Sequence, residues 1–311
     1  MTAAPRVLVV GTGGLACALG ASLSRAGSDV TLAGSWKEAL AAIEARGVVV
    51  HQGRETWTAR PRAAAIDSRL EPVSMALVLV KSHGTPRAAA ALGGALEKDA
   101  LAVTLQNGLG NRETLQAALG RQRARAGVAI MGATVLGPGE VRLVPGRVVL
   151  ERDGRGHSEA LARLLRTAGV EVETTDDLRP VAWTKLAANC AINPLTALHR
   201  VPNGALLEDP RLRKELERAA REVGAVAEAR GIALPRDAAD AAVEVCRATA
   251  GNRSSMLQDV QRGAPTEVDA LNGAVAREGR SLGVPTPVND QLFAAVRALE
   301  GRPVAARGAR P

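Results

Sequence analysis

The chain has 311 residues, enough for about two domains of ordinary size. Hydrophobic residues make up 46% of it and charged residues 23%, which excludes a wholly disordered protein. Lys and Arg number 40 against 32 Asp and Glu, a formal charge of +8 that could attract anionic ligands or reflect scattered, solvated arginines. With three Trp, one Phe and no Tyr, base-stacking platforms are too few for us to expect a nucleic-acid partner.

The cysteines and the apolar segments indicate where in the cell the protein is located. Cys17, Cys190 and Cys246 lie far apart, an odd set that suits neither a disulfide framework nor a zinc site. No run reaches the roughly 18 apolar residues of a membrane span, so no membrane partner is expected. Glycines interrupt the apolar N-terminus, which argues against a signal peptide. These features predict a cytoplasmic protein without a metal.

Short β-branched runs alternate with helical stretches in the first half of the chain. The predicted strands are Val7–Val10, Val30–Leu32, Leu77–Val80, Leu101–Leu105 and Val128–Ile130, and the predicted helices are Leu15–Ala26, Trp36–Arg46 and Pro86–Leu96. This alternation predicts a parallel sheet that is covered on both faces. Val141–Val144 and Val148–Glu151 flank Pro145-Gly146-Arg147, which predicts a hairpin. One further strand, Val170–Thr174, is predicted after a helix.

Beyond Asp177 the pattern predicts helices only. They cover Pro180–Asn193, Arg211–Arg230, Arg236–Thr249, Thr266–Leu282 and Val288–Leu299. We therefore predict an α/β domain over 1–177, a helical domain over 178–301 and a disordered tail over 302–311.

The first predicted strand leads into a glycine-rich turn and then a helix. This fingerprint is Gly11, Thr12, Gly13, Gly14, Leu15 and Ala16. Gly11 permits the tight turn, Gly13 lets backbone amides approach a pyrophosphate, and Ala16 keeps the helix close to the strand. Such a run can also be a glycine turn without a ligand. The strand–turn–helix setting favours a dinucleotide site.

The ends of three predicted strands carry further cofactor signals. NAD sites place Asp or Glu after the second strand, whereas this chain has none there, so Ser35 and Lys37 could contact the 2′-phosphate of NADP. Lys81 and Asn107 follow two other strands and are expected at the same ligand-binding edge. A simple turn is the alternative for Asn107-Gly108.

Three polar residues share one face of the first helix in the second half. Lys185, Asn189 and Asn193 recur every four residues among apolar neighbours. Such groups must face water, partners or a polar cavity, and amides are unusual for the surface of this Arg- and Glu-rich chain. We interpret the stripe as ligand-facing, with a solvent-facing surface stripe as the alternative. Pro194 is predicted to stop or kink the helix.

A second polar cluster spans Asn252–Asp259 and Thr266–Asp269. Glu267 could serve catalysis there. Alternatively, Thr266 and Asp269 could cap the predicted helix, with Glu267 in its first turn. Spacing alone leaves this choice open.

In this order, the motifs resemble the ketopantoate reductase (2-dehydropantoate 2-reductase) family. The segments that carry the resemblance are Gly11–Ala16, Val80-Lys81, Gln106-Asn107-Gly108, Trp183–Lys185, Asn189, Asn193–Ala197, Pro202–Gly204, Ser254–Asp259 and Thr266–Asp269. The resemblance implies an α/β fold with an N-terminal Rossmann-like doubly wound sheet and a second, all-helical C-terminal domain.

The resemblance also implies roles for single residues. Lys185 matches the general acid, and Glu267 matches a second catalytic carboxylate where substrate and nicotinamide ribose meet. The substrate positions match Asn189, Asn193, Asn203 and Ser255, together with Asn107 and Lys185. Lys81 and Asn107 match cofactor contacts. Ser35 departs from the family, which commonly has Arg at this position to hold the 2′-phosphate.

The expected function is NADPH-dependent reduction of the 2-keto group of 2-dehydropantoate to (R)-pantoate, as in pantothenate biosynthesis. One alternative is a related NAD(P)-dependent reductase for another 2-oxo acid or an imine. Another is a nucleotide-sensing protein without catalysis. The expected partner is a small-molecule 2-oxo acid, and a homodimer is left open.

Overall fold

A computed structural model describes residues 5–300, and the chain divides into two compact units. The first unit contains the chain up to Gln106 and Gly110–Leu178. The second unit contains Asn107–Leu109 and, of the described residues, 179–300. The short piece Asn107–Leu109 thus groups with the helical part of the chain, although it lies inside the α/β part of the sequence. The tail predicted over 302–311 lies outside the described residues.

The first unit is built from ten strands and five helices. The strands are β1 (Arg6–Val10), β2 (Asp29–Gly34), β3 (Val48–Gln52), β4 (Glu55–Ala59), β5 (Arg62–Ala65), β6 (Val73–Val78), β7 (Leu96–Thr104), β8 (Ala124–Gly137), β9 (Glu140–Glu151) and β10 (Glu171–Thr175). The helices are α1 (Gly14–Arg25), α2 (Lys37–Arg46), α3 (Thr85–Ala95), α4 (Asn111–Leu119) and α5 (His157–Thr167).

All ten strands form one mixed sheet. Its order is β4-β3-β9-β8-β7-β6-β1-β2-β5, with β10 beside β9. The pairs from β8 through β7, β6, β1 and β2 to β5 are all parallel. Alternate residues of β1 enter two different cores: Val7 and Val9 pack on one face of the sheet, Leu8 and Val10 on the other. A strand buried on both faces explains why its sequence is a continuous apolar run.

The hairpin predicted at Pro145–Arg147 is wrong. Strand β9 runs without interruption from Glu140 to Glu151 and pairs antiparallel with β8, and the turn between these strands is at Pro138-Gly139. A register shift in the β8–β9 pairing accommodates the proline and glycine. A residue without a Cβ atom is needed at Gly146, because a Cβ atom there would lie only 2.1 Å from the carbonyl oxygen of Ile130.

The described residues of the second unit form helices joined by loops, without a strand. Its helices are α6 (Arg179–His199), α7 (Ala205–Glu208), α8 (Pro210–Ala229), α9 (Ala238–Ala248), α10 (Ser255–Arg262), α11 (Asn272–Leu282) and α12 (Pro287–Glu300). Buried residues of α6, α8, α9 and α12 share one apolar core. The predicted α/β class with an all-helical second part is confirmed.

Two helix boundaries differ from the predictions. Pro194 does not stop the first helix, because α6 continues to His199, and the alternative effect of this proline, a kink, stays a prediction. The helix predicted from Thr266 begins only at Asn272, so Thr266 caps a turn instead, accepting a hydrogen bond from the Val268 backbone N–H at 3.2 Å. Glu267 therefore lies in a loop ahead of α11 and not in its first turn.

Candidate active site

The glycine turn lies at the carboxyl end of β1. The Gly11 backbone N–H donates to the carbonyl oxygen of Ala33 at the end of β2, at 2.7 Å. Gly11 has φ +139°, and a Cβ atom there would lie 2.9 Å from the carbonyl oxygen of Leu79. Only glycine combines this conformation with so close a neighbour. The turn therefore depends on Gly11, as the fingerprint predicts.

The amino end of α1 presents backbone donors. The first intrahelical bond is made by Cys17 N–H to the carbonyl oxygen of Gly13 at 2.9 Å, so the preceding N–H groups of the helix have no intrahelical acceptor. The first turn contains no acidic residue. Gly13 is exposed, and a Cβ atom there would meet nothing within 4 Å. These features fit the pyrophosphate of a dinucleotide.

The end of β2 has no carboxylate. Ser35 and Lys37 are exposed immediately after the strand. A Cβ atom at Gly34 would lie 2.6 Å from the side chain of Thr12, so Gly34 lets the glycine turn pack against this strand end. Asp29, at the other end of β2, forms an ion pair with Arg62 at 2.8 Å. Ser35 and Lys37 thus offer an exposed hydroxyl and an exposed ammonium after β2, and Glu38 in the first turn of α2 is the nearest carboxylate in sequence.

A polar network that the sequence did not reveal joins the ends of β6 and β7. The Gln106 Nε2 group donates to the carbonyl oxygen of Val80 and to Thr85 Oγ1, both at 2.8 Å. Thr85 is buried and also bonds Asn111 Oδ1 at 2.8 Å. This network fixes the backbone beside Lys81, one of the predicted cofactor residues. The only sequence signal was a set of amides and hydroxyls next to two strand ends.

In the second unit, three predicted site residues form one hydrogen-bonded chain. Lys185 Nζ donates to Asn107 Oδ1 at 2.9 Å, and Asn107 Nδ2 donates to Glu267 Oε2 at 3.2 Å. The Leu109 backbone N–H donates to the carbonyl oxygen of Ala270 at 2.9 Å and holds Asn107–Leu109 against the loop that carries Glu267. The amine, the amide and the carboxylate are thus brought together.

The surroundings of Lys185 lower the pKa of its amine. Burial lowers the pKa of the Lys185 amine from 10.5 to about 8, and the charge of Glu267 partly opposes this by raising the pKa. Glu267 is itself only 7% exposed. An ammonium group with a pKa of about 8 is mostly protonated at neutral pH, and it gives up its proton more readily than an ordinary lysine.

The remaining predicted substrate residues lie around α6 and α10. Asn189 and Asn193 share the face of Lys185, Asn189 half-buried and Asn193 buried. Ser255 is exposed at the start of α10, which Ser254 caps by accepting from the Leu257 backbone N–H at 3.1 Å.

Asn203 has a different setting. Its Nδ2 group donates to Thr249 Oγ1 at 2.9 Å, and its backbone N–H donates to the carbonyl oxygen of Asn252 at 2.9 Å. These bonds fix the loop after α6 against the end of α9. The buried Asn203 Oδ1 has no partner among residues 5–300. The hydrogen bonds of Asn203 in the described structure go to residues other than Lys185, Asn107 and Glu267, and its substrate role stays a prediction.

The described part of the chain contains neither a metal-binding cluster nor a membrane-spanning helix. Among its residues, no cluster of His, Cys, Asp and Glu could hold a metal ion. No helix in residues 5–300 has the length and hydrophobicity to cross a bilayer.

Comparison with known proteins agrees with this architecture. The family described as "Ketopantoate reductase PanE/ApbA" matches residues 7–153, and "Ketopantoate reductase PanE/ApbA C terminal" matches residues 177–300. A 2-dehydropantoate 2-reductase of Halobacterium salinarum is 36% identical over 297 residues, covering 94% of this chain and 98% of that protein.

Two solved structures are similar to this chain over most of its length. The PanE/ApbA family ketopantoate reductase of Ralstonia eutropha JMP134 superposes with a TM-score of 0.88 at 36% identity, covering 95% of this chain and 98% of that one. A D-mandelate dehydrogenase bound to NADH and anilino(oxo)acetate has the same TM-score, 0.88, at 23% identity, over 95% of this chain and 98% of its own. The second likeness concerns the fold alone.

The glycine-rich turn of the first unit, and the lysine, amide and carboxylate that are hydrogen-bonded in the second, define the class of the protein as a nicotinamide-dependent oxidoreductase. The two family matches and the 36% identity over most of the chain identify the family within this class. The chain belongs to the ketopantoate reductase family.

Proposed function

We propose that this protein reduces the 2-keto group of 2-dehydropantoate to (R)-pantoate with NADPH, the step that serves pantothenate biosynthesis. The observation that carries the proposal is the contact between Lys185 Nζ and Asn107 Oδ1 at 2.9 Å, in an environment where burial lowers the amine pKa to about 8. A reductase of a 2-oxo acid needs such a donor, because negative charge develops on the ketone oxygen.

In the proposed mechanism Lys185 is the general acid. Bound NADPH supplies the hydride that adds to C2 of the substrate. As the carbonyl π electrons move onto oxygen, the Lys185 ammonium stabilises that oxygen and transfers one proton to it, which completes the alcohol. The neutral amine then regains a proton from solvent. Asn107 orients the amine, since its Oδ1 accepts from Lys185 while its Nδ2 donates to Glu267.

Substrate binding is assigned to the amides and the hydroxyl near α6. Asn189 and Asn193 lie on the Lys185 face and can donate to the substrate carboxylate or hydroxyl. Ser255 offers an exposed hydroxyl at the start of α10. Asn203 is included because its position matches the family motif.

Cofactor binding is assigned to the first unit. The Gly11–Ala16 turn and the amino end of α1 would hold the pyrophosphate. Ser35 and Lys37 would contact the 2′-phosphate, and Lys81 lies after another strand end at the same edge of the sheet. We propose NADPH over NADH because residues 34–37, at the end of β2 and directly after it, contain no carboxylate to bind a ribose hydroxyl.

A reductase for another 2-oxo acid or an imine is the second candidate. It is favoured by Ser35, which cannot offer the bidentate guanidinium that commonly grips the 2′-phosphate in this family. The exposed indole of Trp36 beside it also changes the surface that meets the cofactor. We further propose a dinucleotide-binding domain over 1–177, a catalytic domain over 178–301, a cytoplasmic location and a homodimer.

The test is a rate comparison on the purified protein. NADPH and NADH are each combined with 2-dehydropantoate and with a panel of other 2-oxo acids and cyclic imines, and nicotinamide absorbance is followed. The proposal requires the highest kcat/KM for NADPH with 2-dehydropantoate. A higher value for another acid or an imine would favour the second candidate, and cofactor binding without turnover of any acid or imine would exclude both.

A further inference from the structure

Helix α6 contains a proline where an ordinary helix would break. Pro194 has no backbone N–H, so the carbonyl oxygen of Cys190, four residues earlier, loses its normal helical donor. Cys190 is completely buried, out of reach of water. A buried carbonyl without a donor is rare and destabilising. The helix therefore needs a donor from elsewhere in the chain.

Asn272 supplies that donor. Its side chain is fully buried at the start of α11, and its Nδ2 group donates to the carbonyl oxygen of Cys190 at 2.9 Å. The second proton of the same amide goes to Asn289 Oδ1 at 3.0 Å. Asn289 Nδ2 donates in turn to the carbonyl oxygen of Ala219 at 3.0 Å and to Glu222 Oε2 at 2.8 Å. Since Asn289 uses its own donors on these groups, its oxygen must face Asn272, which fixes the orientation of both amides.

The network continues to the start of α12. The carboxylate of Glu222 accepts from the backbone N–H groups of Val288 and Asn289, both at 2.9 Å. Four helices, α6, α8, α11 and α12, are thus joined by buried side-chain hydrogen bonds. Among the described residues Asn272 Oδ1 has no hydrogen-bond partner, while the other side-chain polar atoms of Asn272, Asn289 and Glu222 are all bonded. A buried network with this many defined partners holds its elements in one arrangement.

Two of the joined elements carry the reacting groups. Helix α6 carries Lys185. The turn that carries Glu267 leads directly into α11, and the Leu271 backbone N–H donates to the carbonyl oxygen of Glu267 at 3.0 Å. Asn272 follows in the next position. Its bond to α6 therefore ties together the helix of the amine and the loop of the carboxylate.

We propose that Asn272 is a positioning residue, which replaces the hydrogen bond lost at Pro194 and thereby fixes the Lys185 helix relative to the Glu267 loop. The catalytic part of this inference rests on the proposed function. Asn272 touches neither the reacting atoms nor Lys185, and it acts through the backbone of α6.

A double-mutant cycle tests the inference. Pro194→Ala restores an N–H that can bond the carbonyl oxygen of Cys190, so the Asn272 donor becomes partly redundant. We expect Asn272→Ala to lower the folding equilibrium constant about tenfold in the wild-type background. In the Pro194→Ala background the loss should be several-fold smaller, because only the bond to Asn289 is then lost. If Asn272→Ala does not fold, Asn272→Ser serves in the same cycle.

The kinetic arm is measured well below the melting temperature of every variant. We expect Asn272→Ala to lower kcat about tenfold while KM changes less, because a small displacement of a proton donor slows the chemical step more than it weakens binding. Adding Pro194→Ala should restore most of this kcat. Two controls are exposed positions in the same unit, Gln261→Ala and Pro210→Ala, the latter at the first position of α8 where no buried carbonyl is left without a donor.

The outcomes separate the two proposals. Equal losses of stability from Asn272→Ala in both backgrounds would overturn the assigned link to Pro194. Lower stability with unchanged kcat would show a purely structural role and would also overturn the inference. A wild-type protein without any 2-oxo acid reductase activity would refute the proposed function and the positioning role together, while the stability cycle would still decide whether Asn272 replaces the lost bond.

Discussion

The first unit forms its candidate binding groups from the backbone, whereas the second unit forms them from side chains. In the first unit the groups that fit a dinucleotide are backbone N–H donors at a turn, and Gly11 is needed because of its φ of +139°. In the second unit the proposed chemistry depends on three hydrogen-bonded side chains, Lys185, Asn107 and Glu267. A backbone site tolerates many side chains around a few obligatory glycines, whereas a side-chain site depends on each functional group. The comparison predicts different failures in the two units: loss of binding in the first, loss of turnover in the second.

The largest effect is expected for Lys185→Ala. Removing the general acid should lower kcat at least about 10²-fold, since a positioned acid contributes on that scale, while NADPH binding should change little. Steady-state rates and a nucleotide titration measure both quantities. Lys214→Ala, at an exposed position of α8, is the matched control and should keep wild-type rates. Wild-type turnover in Lys185→Ala would remove the assignment.

Gly11→Ala should have the opposite signature. The added Cβ meets the carbonyl oxygen of Leu79 at 2.9 Å in a conformation that costs a non-glycine residue about 1–3 kcal/mol, so the Kd for NADPH should rise about tenfold or more. Gly93→Ala is the control, because Gly93 is exposed inside α3 and a Cβ atom there has open space. Fluorescence titration with NADPH measures the affinity. Equal affinity in wild type and Gly11→Ala would show that the turn does not hold the cofactor.

A smaller effect is expected at Glu267. Its charge raises the pKa of Lys185 while burial lowers it to about 8, so Glu267→Gln should lower that pKa further. Because the reaction needs the protonated amine, the kcat/KM of the variant should begin to fall at a lower pH than that of the wild type. Asp269→Asn, which neutralises an exposed carboxylate in the same loop, should leave the profile in place. A shift toward higher pH in Glu267→Gln would contradict the assigned charge interaction.

The smallest effect is expected at the end of β2. Ser35→Arg introduces a guanidinium that matches phosphate geometry, so the KM for NADPH should fall by roughly threefold to tenfold and that for NADH should hardly change. Ser281→Arg adds the same charge at an exposed position of the second unit and controls for net charge. An equal gain for both cofactors would mean that residue 35 does not contact the 2′-phosphate.

The sequence predicted best what is local. The turn at Gly11 and the polar face of α6 follow from neighbouring residues, because strand, turn and helix preferences act over a few positions. Pro194 and Pro145 misled the prediction, since each is accommodated by a distant partner: Asn272 for the former and the shifted pairing with β8 for the latter. Local rules contain no information about such partners.

In the candidate site, too, the sequence predicted which nearby residues share a face but not which distant residues meet. Lys185 and Asn193 could be grouped by helical spacing, but Asn107 lies 78 positions from Lys185, and Glu267 lies 160 positions from Asn107. Only the resemblance to a family suggested that these residues act together. The Gln106–Thr85–Asn111 network was missed because hydroxyls and amides beside a turn are common in loops of every kind.

The most direct measurement of the central claim is the pH dependence of kcat/KM for 2-dehydropantoate with NADPH, recorded for the wild type and Lys185→Ala. This quantity reports the ionisation of the enzyme before substrate binds. The account predicts a wild-type rate that falls as pH rises above about 8, and a residual Lys185→Ala rate without that decline. The same decline in both proteins would contradict it, because the proton would then come from a group other than Lys185.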